Sequence, residues 1–475
     1  MSLSRRQALG VLGGSALALA GCDGVARGVR RLEHRPARPP RPGQEQDARF
    51  LNRFGFGPRP GDVAAIGDKG RGAWLEEQLA PKPEEPLDLQ MMVRRLDIEQ
   101  LGPWDLRDWK REAVLAQMQQ KAILMATYSP WQLRERMVDF WTNHFNIYAG
   151  KGLAAYRKPL DEREVVRKHA LGKFPDMVRA SAHSTAMLVF LDQQNSTAAH
   201  PNENYARELL ELHTLGVHGG YTQKDVMEVA RCLTGWDEER GFLRKKGSFV
   251  FRPELHDDGE KTVLGHRIPA GGGESDGDRV IEIVTSHPAT AKFIAQKLCR
   301  YFLGDAGPEA EPDVARAYRE TGGDIPSMVR AVAAHSAAVA GPPVVKRPFD
   351  YMVSALRAVD AQTDGGAALQ KHLAAMGQPL YQWPMPDGFP DKTRAWTGSL
   401  LGRWNFAFDL VSGALDRTAV DIGSLLKESA LDAAGCVYGM AKGSPALARV
   451  RETVAGLSAE ESVAVALAAP EFQWR

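Results

Sequence analysis

Residues 202–216, Asn-Glu-Asn-Tyr-Ala-Arg-Glu-Leu-Leu-Glu-Leu-His-Thr-Leu-Gly, restrict the fold more than any other stretch of this chain. They follow Pro201, consist mainly of strong helix formers, and stop at a glycine suited to a left-handed C-terminal position. Asn202 is suited to cap the start. Helical spacing puts Tyr205, Leu209 and Leu212 on an apolar strip that needs a core to cover it. Glu203, Arg207 and Glu211 lie at successive i,i+4 steps, a possible charge ladder. Asn204, Glu208 and Glu211 share a third strip, with two carboxylates one i,i+3 step apart. Such a pair repels unless water, an arginine, a shared proton or a metal compensates.

The same helical period runs through most of the chain, over residues 62–79, 113–127, 130–145, 161–170, 176–191, 279–286, 288–302, 312–321, 326–339, 349–359, 400–415 and 458–467. Thr222 and Asp225 match a capping box. Between Trp236 and Ile268 the period changes. Ser248-Phe249-Val250-Phe251 and Lys261-Thr262-Val263-Leu264-Gly265 read as short strands of one small hairpin. The predicted fold is mainly α: a large multi-helix globular body with a β-hairpin excursion near residues 246–266. The helical domain spans 48–475 and leaves room for two lobes divided near 236–275. Residues 376–390, rich in proline and aromatics, read as irregular loop.

At 475 residues and 44% apolar composition the chain can bury a large core. A formal net charge of +1 gives no argument for nucleic acid as a partner. Four cysteines are too few for a disulfide framework; Cys232, Cys299 and Cys436 read as buried thiols.

Residues 1–22 read as an address. Arg5 and Arg6 precede a weakly apolar run, residues 8–20, too short for a membrane span of about 20 residues. This resembles a twin-arginine export signal. Leu19-Ala20-Gly21-Cys22 resembles a lipobox, cut before the cysteine that then receives lipid, and Asp23 resembles an inner-membrane retention signal. Residues 23–47, rich in arginine and proline, read as a tether. The expected location is the periplasm, with Cys22 held in inner-membrane lipid.

Four sets of motifs, in order, carry a family resemblance: Arg53-Phe54-Gly55-Phe56-Gly57; Phe140-Trp141-Thr142-Asn143-His144-Phe145; the 202–216 segment; and Gly220-Tyr221-Thr222 through Leu233-Thr234-Gly235-Trp236. With His256-Asp257, His287-Pro288-Ala289-Thr290-Ala291, Gly377-Gln378-Pro379 and Pro470-Glu471-Phe472, the chain resembles the bacterial "domain of unknown function 1800" family. The resemblance implies an exported, mostly helical protein and no established activity. One departure is Thr142, where the family commonly has histidine, so His144 stands alone.

Three polar clusters and one aromatic loop are candidates for chemistry. Glu208 and Glu211, with Arg207, Asn204 and Tyr205, suit acid–base work or a divalent metal, or else a polar network locking helices together. Asn143 and His144, near Asp139, suit a base with a substrate-orienting amide, or a hydrogen-bonded core histidine. His256 and Asp257, with Asp258 and Lys261, suit a cation in a turn, or a turn alone. Tyr381, Trp383, Phe389 and Trp396 suit sugar or peptide stacking, or packing beneath a loop. The expected function is an envelope hydrolase or lyase with His144, Arg207, Glu208 and Glu211 as catalytic residues. Asn143, Asn204, Tyr205, His256, Asp257 and Lys261 are then ligand contacts. The alternative is a noncatalytic envelope scaffold or binding protein, with an envelope protein or glycan as partner.

Overall fold

A computed structural model describes residues 38–241 and 246–475. Arg5, Arg6 and Cys22 lie outside the described residues. The last part of the expected tether is held against the body: Arg38 and Arg41 both pair with Asp68, at 2.6 and 3.0 Å. Helix α1 (Glu45–Phe54) begins three residues before the expected boundary.

The body is helical, with sheet confined to two-stranded antiparallel ribbons among the described residues. Beyond α1, the elements that position the polar sites are α2 (Arg111–Tyr128), α3 (Gln132–His144), α4 (Glu203–Glu208), α5 (Gln223–Cys232), α6 (Pro288–Leu303), α7 (Pro348–Ala358) and α8 (Leu400–Val411). Local chemistry sets their ends. Asn202 accepts from the Asn204 amide, Thr222 and Asp225 form the capping box, and the His287 ring caps α6 ahead of Pro288.

The strands pair differently from the expected hairpin. Trp236–Glu238 pairs with Phe249–Phe251, and Lys261–Val263 pairs with His266–Ile268 across a turn at Leu264 and Gly265. The two predicted strands thus belong to separate ribbons. Local alternation identified extended chain but not its partner, which in the first ribbon comes from upstream of the excursion.

Two large buried clusters hold the body together. The first reaches from Ala48 to Ala338 and includes Trp236, Val263, Ile268 and Val280 of the 236–280 region. The second joins Phe56 and α2 to α7, α8 and the C-terminal helices. Between them Arg136 donates to Asp350, and Arg475 lies 3.6 Å from the same carboxylate. All three side chains are at most 3% exposed. The remaining cysteines are free and buried, as expected. Among the described residues no helix is long and apolar enough to cross a membrane.

Candidate active site

The 202–216 segment is not one α-helix. After α4 the chain continues as a π-helical turn, Leu209–Thr214. The Leu215 amide bonds the Leu210 carbonyl at 2.8 Å, and the Thr214 hydroxyl bonds that of Leu209 at 2.5 Å. This wider turn changes which side chains face inward. His213 and Thr214 are buried, and Leu212, expected in the core, is only half-buried. Gly216 ends the segment at φ +81°, pressed so closely on Phe293 that an added Cβ would lie 2.7 Å from its ring.

The turn also decides where the carboxylates go. Glu208 and Glu211 are half-buried on a flank, and neither lies within 4 Å of a histidine nitrogen among the described residues. The expected meeting of these acids with His144 is not made. Glu211 instead accepts a long bond from the Tyr221 hydroxyl, 3.4 Å. Arg207 completes half of the expected ladder: it bonds Glu203 at 3.2 Å and Gln223 at 2.8 Å. Burial, the Glu211 charge and the Asp387 charge together raise the Glu208 carboxyl, against a smaller opposing effect of Arg207. Across the cluster, Lys297 of α6 is shifted the other way: burial lowers it despite Asp391 and Asp387.

His144 sits behind this flank, in the core. Its Nε2 bonds the His213 carbonyl at 3.1 Å. A carbonyl only accepts, so Nε2 carries the proton and Nδ1 is left without a partner. Burial, then Lys297 and His213, hold His144 well below the ordinary histidine range. His213 is pushed down to about 3 by burial and Lys297. Both imidazoles are therefore neutral in the physiological range, and His144 is a core residue, not a base exposed to substrate. Tyr205 is 1% exposed and packs near His213, 6.3 Å between ring centres, so it is no ligand contact. The Asn204 amide donates to the Leu191 carbonyl, 3.2 Å.

Asn143 has a different role from the expected one. Its side chain accepts from the Phe389 amide at 2.7 Å and donates to the Phe389 carbonyl at 3.0 Å. Asn146 donates to the carbonyls of Trp383 and Met385, 3.0 and 2.6 Å. These two amides fasten the aromatic loop across the end of α3 and set Asp387 where its charge reaches Glu208 and Lys297. Gly388 (φ +75°) lies so close to Asn143 that a Cβ would fall 2.3 Å from its carbonyl oxygen. Replacing Asn143 with alanine should cost about 1–3 kcal/mol through unpaired backbone groups. Hydrogen exchange should quicken in residues 383–391 more than elsewhere; uniform quickening would argue against a local clamp.

Beneath that loop is a cavity of about 50 Å³, with Asp139, Thr142, Asn143, Glu162, Tyr381 and Phe389 among its lining residues. Glu135 and Glu162 converge on Arg167, with Arg167–Glu135 contacts of 2.7 and 3.0 Å. Lys121 adds a 2.9 Å bond to Glu162. Asp139 accepts from Tyr301 at 2.8 Å and from Arg347. Tyr381 has φ +62°, a left-handed conformation unusual for an aromatic residue. Its carbonyl is held there by the Ala149 amide, 2.9 Å. The volume suits a few waters, not a sugar.

The third expected cluster does not fit a metal. His256 bonds the Thr234 carbonyl through Nδ1, 2.8 Å, and lies 3.3 Å from Asp276 through Nε2. Asp257 pairs with Arg231, 2.7 Å. Lys261, 1% exposed, sets its ammonium 2.6 Å from Asp276 and against the Asp257 carbonyl. The chain's own cation thus fills the place expected for a divalent ion. Among the described residues no group of three or more histidine, cysteine, aspartate or glutamate side chains is placed to hold a metal.

A family model described as "Protein of unknown function (DUF1800)" matches residues 49–474. The chain belongs to this family. Neither curated proteins nor solved structures provide a match. For this family member, sequence reasoning missed Lys297, Asp387, Glu135, Glu162 and Arg167. The available signals were a lysine on the flank of the apolar stripe of α6 and a Met-Pro-Asp-Gly turn in the loop. Neither reveals which carboxylate it will face.

Proposed function

We propose that the protein is an exported, membrane-anchored enzyme of the cell envelope that performs acid–base hydrolysis or elimination on a polar polymer such as a glycan. The single observation carrying this reading is the half-buried Glu208–Glu211 pair, whose environment raises Glu208 and leaves Glu211 beside the Tyr221 phenol. A carboxyl that keeps its proton above the ordinary range can donate it to a leaving group, and a second carboxyl beside it is placed to take one up. Arg207 tunes Glu208, and Asn143 acts by positioning the loop that brings Asp387 near. A π-helical turn beneath the pair is the kind of irregularity often found at functional sites. The address and the lipid anchor rest on the amino-terminal motifs at Arg5, Arg6 and Cys22.

Purified full-length protein incubated with isolated envelope polysaccharides should release new reducing ends, or unsaturated ends if elimination operates. Glu208→Gln and Glu211→Gln should each lower that release by about 10²-fold or more while leaving the melting curve unchanged. Because Glu208 must be protonated to act as the acid, activity should fall as pH rises through its elevated pKa. A wild type that releases neither product, or variants that keep full release, would remove the enzyme reading.

One observation favours a noncatalytic scaffold instead. Helix α8 leaves Leu400, Leu401, Trp404 and Phe408 exposed on successive turns, with Leu401 71% exposed. Such an apolar surface is typical of interaction faces. Partner capture abolished by Leu401→Ser and Trp404→Ser, yet unaffected by the two glutamine variants, would favour that reading.

A further inference from the structure

Lys346 belongs to neither site, and its surroundings are unusual for a lysine. It lies between the two core clusters on the strand-like segment before α7. Its amide donates to the Gln473 carbonyl at 2.8 Å, and its carbonyl accepts from Arg403 at 2.7 Å. The side chain is therefore delivered inward by a fixed backbone. It is 2% exposed. Among the described residues no carboxylate oxygen lies within 4 Å of its amine, whereas each of the other buried lysines, Lys121, Lys158 and Lys261, has one. The amine instead lies over the Phe472 ring, 3.8 Å from its centre. It opens on a cavity of about 30 Å³ shared with Ser354, Tyr438, Glu471, Phe472 and Trp474.

Around it, positive charge is in excess. Two acids are near: Asp350, already engaged by Arg136 and faced by Arg475, and Glu471 on the cavity wall, which pairs with Arg449. Burial lowers the Lys346 amine to about 7; Asp350 opposes the fall, and Arg136, Arg475 and Arg403 add to it. A large share of the amine is thus neutral and nucleophilic at physiological pH. A group that became an anion here would be welcomed by three guanidinium charges.

We infer that Lys346 is a carbon dioxide capture site, at which the buried amine forms a carbamate in the cavity it shares with Phe472. The amine lone pair attacks the carbon, one C=O π pair moves onto oxygen, and an N–H proton leaves to water. The products are the carbamate anion and one proton, with no oxidant or further reactant. Size restricts the ligand class: with about 10–15 Å³ needed for each water-sized group, the cavity holds two or three heavy atoms and excludes larger carbonyl compounds. The site is independent of the acid pair at Glu208.

The test is direct carbon-13 NMR of the folded full-length protein, grown with nitrogen-15 in its lysine side chains and equilibrated with labelled bicarbonate. One carbamate carbon, split by one-bond coupling to nitrogen, should appear at about pH 7.5 and fade by about pH 6, as the amine takes up its proton. A lysine amine in open water, with its ordinary value near 10.4, is almost wholly protonated at that pH and should carry at least about a hundredfold less. Lys346→Arg should abolish the signal. If that variant does not fold, thermal unfolding of the wild type supplies the control, because an exposed amine loses its advantage. No coupled signal at pH 7.5, or one that survives in Lys346→Arg or in the unfolded chain, would overturn the assignment.

Discussion

Replacing Asp350 with alanine should destabilise the protein by about 3–5 kcal/mol, the cost of stranding buried guanidinium groups without their counter-charge. Arg136 is fully buried, Arg347 and Arg475 are nearly so, and all three carry their charge next to this carboxylate. The matched control is Glu76→Ala, which breaks a pair with Arg330 at 2.8 Å on the open surface. That change should stay within about 1 kcal/mol, because water screens both partners. Denaturant midpoints of the two variants measure the contrast, and similar midpoints would contradict it.

Buried ion pairs also set the response to acid. Burial alone would raise the Glu162 carboxyl, but Lys121 and Arg167 outweigh it and hold it down at about 2. Asp350 is likewise depressed, by Arg136, Arg475 and Arg347 against its burial. A carboxylate depressed in the folded state contributes its stability in full above the unfolded-state value near 4.5. It loses that contribution as pH falls through the folded value. Melting temperature should therefore hold steady down to about pH 5 and drop steeply toward pH 2.

Lys261→Met should carry the second large loss, again about 3–5 kcal/mol, since it leaves the Asp276 carboxylate buried beside His256 without an ammonium. Adding Asp276→Leu to the same chain should restore most of the stability, because an apolar pair needs no charge compensation. Unfolding midpoints of the single and double variants measure this. The experiment also separates the two readings of the cluster. If calcium or magnesium restored the single variant while leaving the wild type unchanged, the cavity left by the ammonium would be a competent cation site. No rescue is expected, because Asp257 is turned away to Arg231.

Helix ends were legible in the sequence because a cap needs only three or four neighbouring residues. Asn202, the Thr222–Asp225 box and His287-Pro288 all behave as their local chemistry requires. The helical class was equally legible, since apolar spacing repeats along the chain. The site was legible only as a set of residues. The strips drawn for residues 202–216 assumed a uniform turn, and the π-helical stretch after Glu208 exchanged Leu212 for His213 in the core. Asn143 was expected to orient a ligand, but the partner its side chain meets is a backbone 246 residues away.

Residue order by itself determined that this chain is helical, where several helices begin, which family it joins, and that its thiols lie in apolar surroundings. Tertiary structure alone decided that the Lys261 ammonium lies against Asp276, that His144 is neutral and enclosed, and that the Glu208 carboxyl holds its proton more tightly. The reason is range. Capping and periodicity are satisfied within a turn or two, whereas burial and ion pairing depend on groups such as Arg136 and Asp350, 214 positions apart, which meet only after the core has closed.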